Sequence, residues 1–229
     1  MIIIFISRFY PFMLIFGILA GLFSCGKEVE PVSIYGWHVD TLDGAVYKTI
    51  DIGDQVWLAE NINRGEMISG DQEQSDNGQI QKYCYDDDPE NCEIYGGLYQ
   101  WGEALQYDFS EGARGVCPTG FRLPTDSDWK ELEKHLGMSA EMASQTLWRG
   151  VDQGTIISAG GSANFEALLA GNRFLTGSYN KMGEKAFFWT STGHADGHSW
   201  GRGVDLHEEG IYRAYYDHSY GFSVRCVKE

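Results

Sequence analysis

The hydrophobic positions of this chain follow two rhythms. Over residues 45–61 apolar and polar side chains alternate, with Ile50 and Ile52 on one side and Val56 and Leu58 on a returning segment beyond Gly53-Asp54. That dipeptide is a two-residue turn signal, so the stretch is predicted as a β-hairpin. Further on the period changes to that of a helix: Trp129, Leu132 and Leu136 recur on one face, and Gly137 stops the run. Thr125 stands at the N-cap with Asp128 at the third helical position, which predicts a helix over 126–136. A second helix is expected over 140–147, with Ser139 as its cap. Residues 63–82 are polar and without period, and read as a surface loop; the aromatic-rich block 94–105 passes from strand into helix. Beyond Trp148, glycines punctuate short apolar runs at 187–189, 203–206, 211–216 and 222–227, expected to form an antiparallel sheet. The pattern is that of a loop-rich α+β domain whose last strands form an antiparallel sheet.

The amino terminus follows neither rhythm. Residues 1–24 carry Arg8 as their only charge, and Pro11 splits them into runs well short of the roughly 20 apolar residues of a membrane span. They read as a secretory signal. The signal ends in Leu22-Phe23-Ser24-Cys25, which resembles the lipobox of bacterial lipoproteins, although Phe23 is bulkier than the usual residue there. That resemblance implies a diacylated Cys25 as the mature N-terminus and a lipid anchor to the membrane. The following Lys27-Glu28-Val29-Glu30 is similar to the charged tag that sends lipoproteins of Bacteroidota-type bacteria to the outer face of the outer membrane. Residues 1–24 are thus expected to be a lipoprotein signal peptide, 25–33 a lipid-anchored tether and 34–229 a single domain.

Charge and cysteines sharpen this picture. Loss of residues 1–24 removes only Arg8, so a chain of 229 residues and formal charge -16 becomes more acidic still. Such a surface excludes nucleic acid as a partner, because phosphate binding needs clustered Lys and Arg. Apart from Cys25 there are four cysteines, Cys84, Cys92, Cys117 and Cys226, an even count that favours two disulfides in an exported protein. Spacing alone permits three pairings; Cys84 with Cys92 and Cys117 with Cys226 is the expected one.

Several motifs in order carry a resemblance. Asp51-Ile52-Gly53-Asp54-Gln55-Val56-Trp57-Leu58-Ala59-Glu60-Asn61, Lys82-Tyr83-Cys84-Tyr85, Tyr95-Gly96-Gly97-Leu98-Tyr99-Gln100-Trp101, the stretch from Cys117 to Trp129, Phe188-Trp189-Thr190-Ser191-Thr192 and Ser223-Val224-Arg225-Cys226-Val227-Lys228 together resemble the Fibrobacter succinogenes major paralogous domain. The likeness covers about residues 40–229 and implies a C-type-lectin-like α+β fold, with two helices packed on short antiparallel sheets and a long loop region, in which a Cys117–Cys226 bridge would join the first helix to the last strand. The piece Arg122-Leu123-Pro124-Thr125-Asp126-Ser127-Asp128-Trp129 is also similar to a signature of formylglycine-generating enzymes, which share that fold class.

The chemistry of those relatives does not carry over. Formylglycine generation needs a late pair of redox-active cysteines, and after Cys117 only Cys226 remains. Pro124, Trp129 and Arg122 have sufficient structural roles, Arg122 by pairing with a nearby acid. The Glu-Pro-Asn or Gln-Pro-Asp tripeptide of calcium-dependent lectins is absent. Asp86-Asp87-Asp88-Pro89-Glu90 concentrates carboxylates, but an acidic turn is usually only solvated. His194, His198 and His207, with Asp196 and Asp205, would bind a metal only if their loops converged, and read as surface residues. No Gly-x-Ser-x-Gly or His-Glu-x-x-His spacing marks a hydrolase. No metal, cofactor or catalytic residue is therefore expected.

Aromatic side chains are the better lead, since exposed rings stack on sugar faces or anchor protein partners. Trp200, Tyr212, Tyr215, Tyr216 and Tyr220 are the candidate ligand-binding residues. The expected function is that of a non-catalytic, outer-membrane, cell-surface lipoprotein binding a polysaccharide, glycoprotein or protein partner through its loops. The alternative is a structural or assembly component of the envelope without a small ligand.

Overall fold

The alternation at 45–61 does fold as a hairpin in the computed structural model, which describes residues 34–195 and 197–229. Val46–Ile52 and Gln55–Leu58 pair antiparallel, and Gly53 turns between them at a φ of 62°, where a side chain would be strained. Ile50 lies opposite Trp57, and both pack with Ile52 against Trp129 and Leu132 of the capped helix. Val56 and Leu58 pack in a second cluster with Tyr99, Leu123 and Val224, so both faces of the hairpin are covered.

This hairpin forms the middle of a five-stranded antiparallel sheet ordered Gly36–Val39, Val46–Ile52, Gln55–Leu58, Val227–Lys228, Phe121–Arg122. A larger sheet runs Tyr179–Met182, Ala170–Arg173, Lys185–Gly193, His198–Asp205, Glu208–Asp217, Leu147–Arg149. Three of the late apolar runs lie in its long central strands. The fourth does not form one strand of the same sheet. Phe222–Ser223 joins Lys185–Gly193 in parallel and Leu98–Tyr99 antiparallel, whereas Val227–Lys228 crosses to the first sheet. The break has a cause: buried Arg225 donates to the carbonyls of Leu58, Phe165 and Glu166 and to Asn61 Oδ1, and its neighbour Cys226 is bridged to Cys117.

Both disulfides form in the expected pairing, Cys84–Cys92 across 8 residues and Cys117–Cys226 across 109. The fold is α+β and mostly sheet. In place of two helices, five short ones occur among the described residues: Pro89–Tyr95, Trp101–Ala104, Asp126–His135, Ala140–Ser144 and Gln153–Ile157. Asp126–His135 has the anticipated capping box, with Thr125 and Asp128 bonded to each other's backbone N–H. Ala140–Ser144 stops short of residue 147, because Leu147–Arg149 is recruited as an edge strand beside Glu208–Asp217. Pro89–Tyr95 lies partly within the acidic turn: Pro89 opens the helix and Asp88 caps it by accepting from the Glu90 N–H at 2.9 Å.

The loop 63–82 is pinned from beneath. Arg173, buried below it, donates to the Gly70 carbonyl at 2.9 Å, pairs with Glu73 at 2.7 Å and lies over the Tyr83 ring at 4.7 Å. Among the described residues no helix is long and apolar enough to cross a membrane. Cys25, the signal 1–24 and the tether 25–33 lie outside the described residues, as does Asp196.

Candidate functional site

Opposed residues on neighbouring strands share a face, so the register of the larger sheet sorts its side chains into two sets. Arg202 is opposite Arg213, with Phe188 beside them, and this face receives the capped helix. Asp126 Oδ1 accepts from Arg202 at 2.9 Å and from Arg213 at 2.8 Å, and Lys130 reaches Asp126 Oδ2 at 2.8 Å. Glu133, one turn beyond Trp129, accepts from Arg202 at 2.7 Å and Arg149 at 2.9 Å. Burial alone would raise the Asp126 carboxyl, but Arg213, Arg202 and Lys130 outweigh it and hold the group well below the usual carboxylate range. Burial pulls Arg149 down to about 10, with nearby Arg202 and Arg213 acting in the same sense and Glu133 opposing.

The Arg122 to Trp129 motif is thereby absorbed into architecture. Arg122 grips Asp128 through both oxygens at 2.7 and 3.0 Å, and the Thr125 N–H donates to the same carboxylate at 2.6 Å. Asp126 threads the arginines, and Trp129 is fully buried between Trp57, Phe165 and Phe188. Asp126 and Trp129 are buried, and Arg122 and Asp128 are mostly covered.

The opposite face is open and aromatic. Gly203 stands between Phe187 and Tyr212, Gly201 stands between Trp189 and Ala214, and Trp148 lies beyond Tyr212. The glycines make room for rings: a Cβ on Gly201 would come within 3.1 Å of the Tyr216 ring, and one on Gly203 within 3.2 Å of the Tyr212 Cβ. The resulting trough of about 330 Å³ is lined by Trp148, Lys185, Phe187, Gly203, Tyr212 and Tyr216. Trp148 and Tyr212 meet edge to face at 5.0 Å, as do Phe187 and Tyr216 at 5.9 Å. Lys185 lies 5.9 Å from the Trp148 ring and is paired with Asp205 at 2.7 Å, placing a charged pair beside the rings. Beneath the trough the rings join the core: Tyr216 and Tyr220 pack on buried Phe222, and Tyr220 packs on Phe174 at 5.1 Å. Burial, reinforced by Tyr212 and Tyr220, keeps the Tyr216 hydroxyl protonated far above its ordinary range, and that hydroxyl has no hydrogen-bond partner.

The five aromatic candidates therefore separate. Tyr212, Tyr216 and Tyr220 belong to the open face. Trp200 and Tyr215 lie opposite each other on the other face, toward the strand ends. There the Arg213 guanidinium covers the Trp200 ring at 3.6 Å, and His194 stacks on Tyr215 at 4.2 Å. Tyr215 remains 51 % exposed. Trp148, Phe187 and Lys185 complete the trough and were not among the sequence candidates. Their signal is the period-two pair Gly201 and Gly203 set against Tyr212, Ala214 and Tyr216, a spacing that leaves space beside rings.

Other chemistry can be placed. His194 and His198 adjoin Tyr215, whereas His207 occupies the turn at the far end of the strand. Among the described residues no three His, Cys, Asp or Glu side chains gather to hold a metal ion. The acidic turn spends its carboxylates internally, Asp87 accepting from the Gly70 N–H at 2.8 Å and the Tyr179 hydroxyl at 2.6 Å. Ser199 Oγ lies 2.7 Å from His218 Nε2, a nucleophile–base geometry, but Ser199 is fully buried and His218 is stacked on Trp101 at 4.1 Å. The pair ties the strand His198–Asp205 to the turn after Glu208–Asp217. A larger cavity of about 430 Å³, which includes Thr155, Ser158, Leu206, His207 and Glu208, contains no tryptophan or tyrosine.

Searches of curated proteins and of solved structures found no match. A family model, the Fibrobacter succinogenes major domain, matches residues 50–228. That span takes in the hairpin turn, both disulfides, the capped helix and both faces of the larger sheet, and the chain belongs to the Fibrobacter succinogenes major domain family.

Proposed function

We propose that the protein is a non-catalytic, lipid-anchored protein of the outer cell surface, and that its domain, C-type-lectin-like in architecture, binds the sugar rings of a polysaccharide or glycoprotein. The observation that carries this reading is the trough over Gly203 between Trp148, Tyr212, Phe187 and Tyr216. Aromatic rings offer flat apolar area to the C–H faces of a pyranose at low entropic cost, and the Lys185–Asp205 pair supplies a donor and an acceptor for its hydroxyls. Trp200 takes a supporting role in this reading, since its ring is already stacked by Arg213. Anchorage through Cys25 gives the domain a fixed place from which to capture a polymer.

The test is binding to a panel of glycans and polysaccharides, with calcium and with chelator. A hit weakened at least tenfold by Tyr212→Ala and left intact by Tyr215→Ala is the expected result, with no dependence on calcium. A hit that follows Tyr215 and ignores Tyr212 would transfer the site to the strand ends. Absence of any hit would favour a structural role in the envelope.

A further inference from the structure

The first sheet ends in an edge strand that leaves apolar surface uncovered. Among the described residues Gly36–Val39 pairs on one side only, with Trp37 opposite Lys48 and Val39 opposite Val46. Trp37, Val39 and Val46 therefore share a face, and Leu42 sits in the turn joining the strands. Together with Ile34 these side chains are between 56 and 62 % exposed. They are five of the twelve large hydrophobic side chains left exposed among the described residues, and they fall within thirteen consecutive positions. The other face of the same strands is ordinary core: Tyr47 is buried and His38 packs on Phe121 at 4.8 Å. Edge strands are usually blunted by Lys, Pro or a bulge, and Gly36-Trp37-His38-Val39 carries neither Lys nor Pro. A clustered apolar surface of this sort marks a contact with something other than water.

Its place in the chain selects the occupant. Cys25 precedes Ile34 by nine residues. Even a fully extended chain advances at most about 3.6 Å per residue, so Ile34 cannot lie more than about 32 Å from a lipid held on Cys25. We propose that Ile34, Trp37, Val39, Leu42 and Val46 seat the domain on the lipid surface that holds its anchor. This rests on the reading of Cys25 as lipidated. Tryptophan favours the headgroup level, where an amphipathic ring is satisfied, and Lys48 beside Trp37 has a stem long enough to keep its ammonium in water. With a formal charge of -16 the protein gains nothing from anionic lipid, so the contact is apolar and a neutral bilayer suffices.

The experiment uses the full chain, processed in a lipoprotein-making host and reconstituted into phosphatidylcholine vesicles containing brominated acyl chains. The expected result is co-flotation with the vesicles and quenching of tryptophan emission that Trp37→Phe abolishes while flotation persists. A second variant, Val39→Asp with Leu42→Asp, should float equally and lose the same quenching. Flotation without quenching, or quenching unchanged by Trp37→Phe, would overturn the docking face and leave the anchor standing. Failure to float would overturn the anchor and the docking face together.

Discussion

The two faces of the larger sheet are built from the same three long strands and could hardly differ more. On one, Arg149, Arg202 and Arg213 are locked to Asp126 and Glu133 in a buried lattice. On the other, Gly201 and Gly203 stand beside rings, Trp189 fully buried and Phe187, Tyr212 and Tyr216 half-buried, and the charged pair Lys185–Asp205 sits beside the trough. Buried charges demand partners at fixed distances and so dictate how the helix docks. Rings packed beside Gly201 and Gly203 set few such demands.

The largest effect should come from breaking the lattice. Asp126→Ala leaves Arg202 and Arg213 buried without their shared carboxylate, and should cost about 3–5 kcal/mol in denaturant unfolding with the disulfides intact. Acid should act on the same face more gradually. The folded-state carboxyl of Asp126 is depressed, as is that of Asp128 against its own burial by Arg122 and Thr125. Their contribution is therefore present in full above the unfolded carboxylate pKa of about 3.9, and is lost as the pH falls below it. A melting temperature that holds from pH 7 to about 5 and then declines is expected, with a shallower decline in Asp128→Asn. The smallest effect belongs to the aromatic face. Tyr216→Phe removes a hydroxyl that has no partner, so stability should stay within about 1 kcal/mol or rise.

Much of the helix-side face was legible in the sequence because its determinants are local. A turn dipeptide, a capping box and a helical period each span a few residues, and the hairpin and the Asp126–His135 helix follow from them. The cysteine pairing needed only parity and the family resemblance. Other elements depend on partners distant in the chain. Ala140–Ser144 ends early because residue 147 is needed by a strand sixty positions away, and the run 222–227 breaks because Arg225 seeks carbonyls at 58, 165 and 166. The aromatic candidates were read as one set, although Tyr215 and Tyr216 are adjacent and adjacent strand residues point to opposite faces. Applying that period would have separated Trp200 and Tyr215 from Tyr212 and Tyr216. Trp148 was hidden behind the predicted helix, so its place beside Tyr212 appears only once the edge strand is seen.

The most direct test measures both properties on one variant from each face: unfolding free energy and affinity for the best glycan, in Asp126→Asn and Trp148→Ala. A double dissociation is predicted. Asp126→Asn should lose several-fold more stability than Trp148→Ala yet bind normally when assayed well below its melting temperature, and Trp148→Ala should remain folded and lose at least tenfold in affinity. If Trp148→Ala binds as well as the parent chain, or if affinity falls with Asp126→Asn while the fold is intact, the assignment of architecture to one face and recognition to the other is wrong.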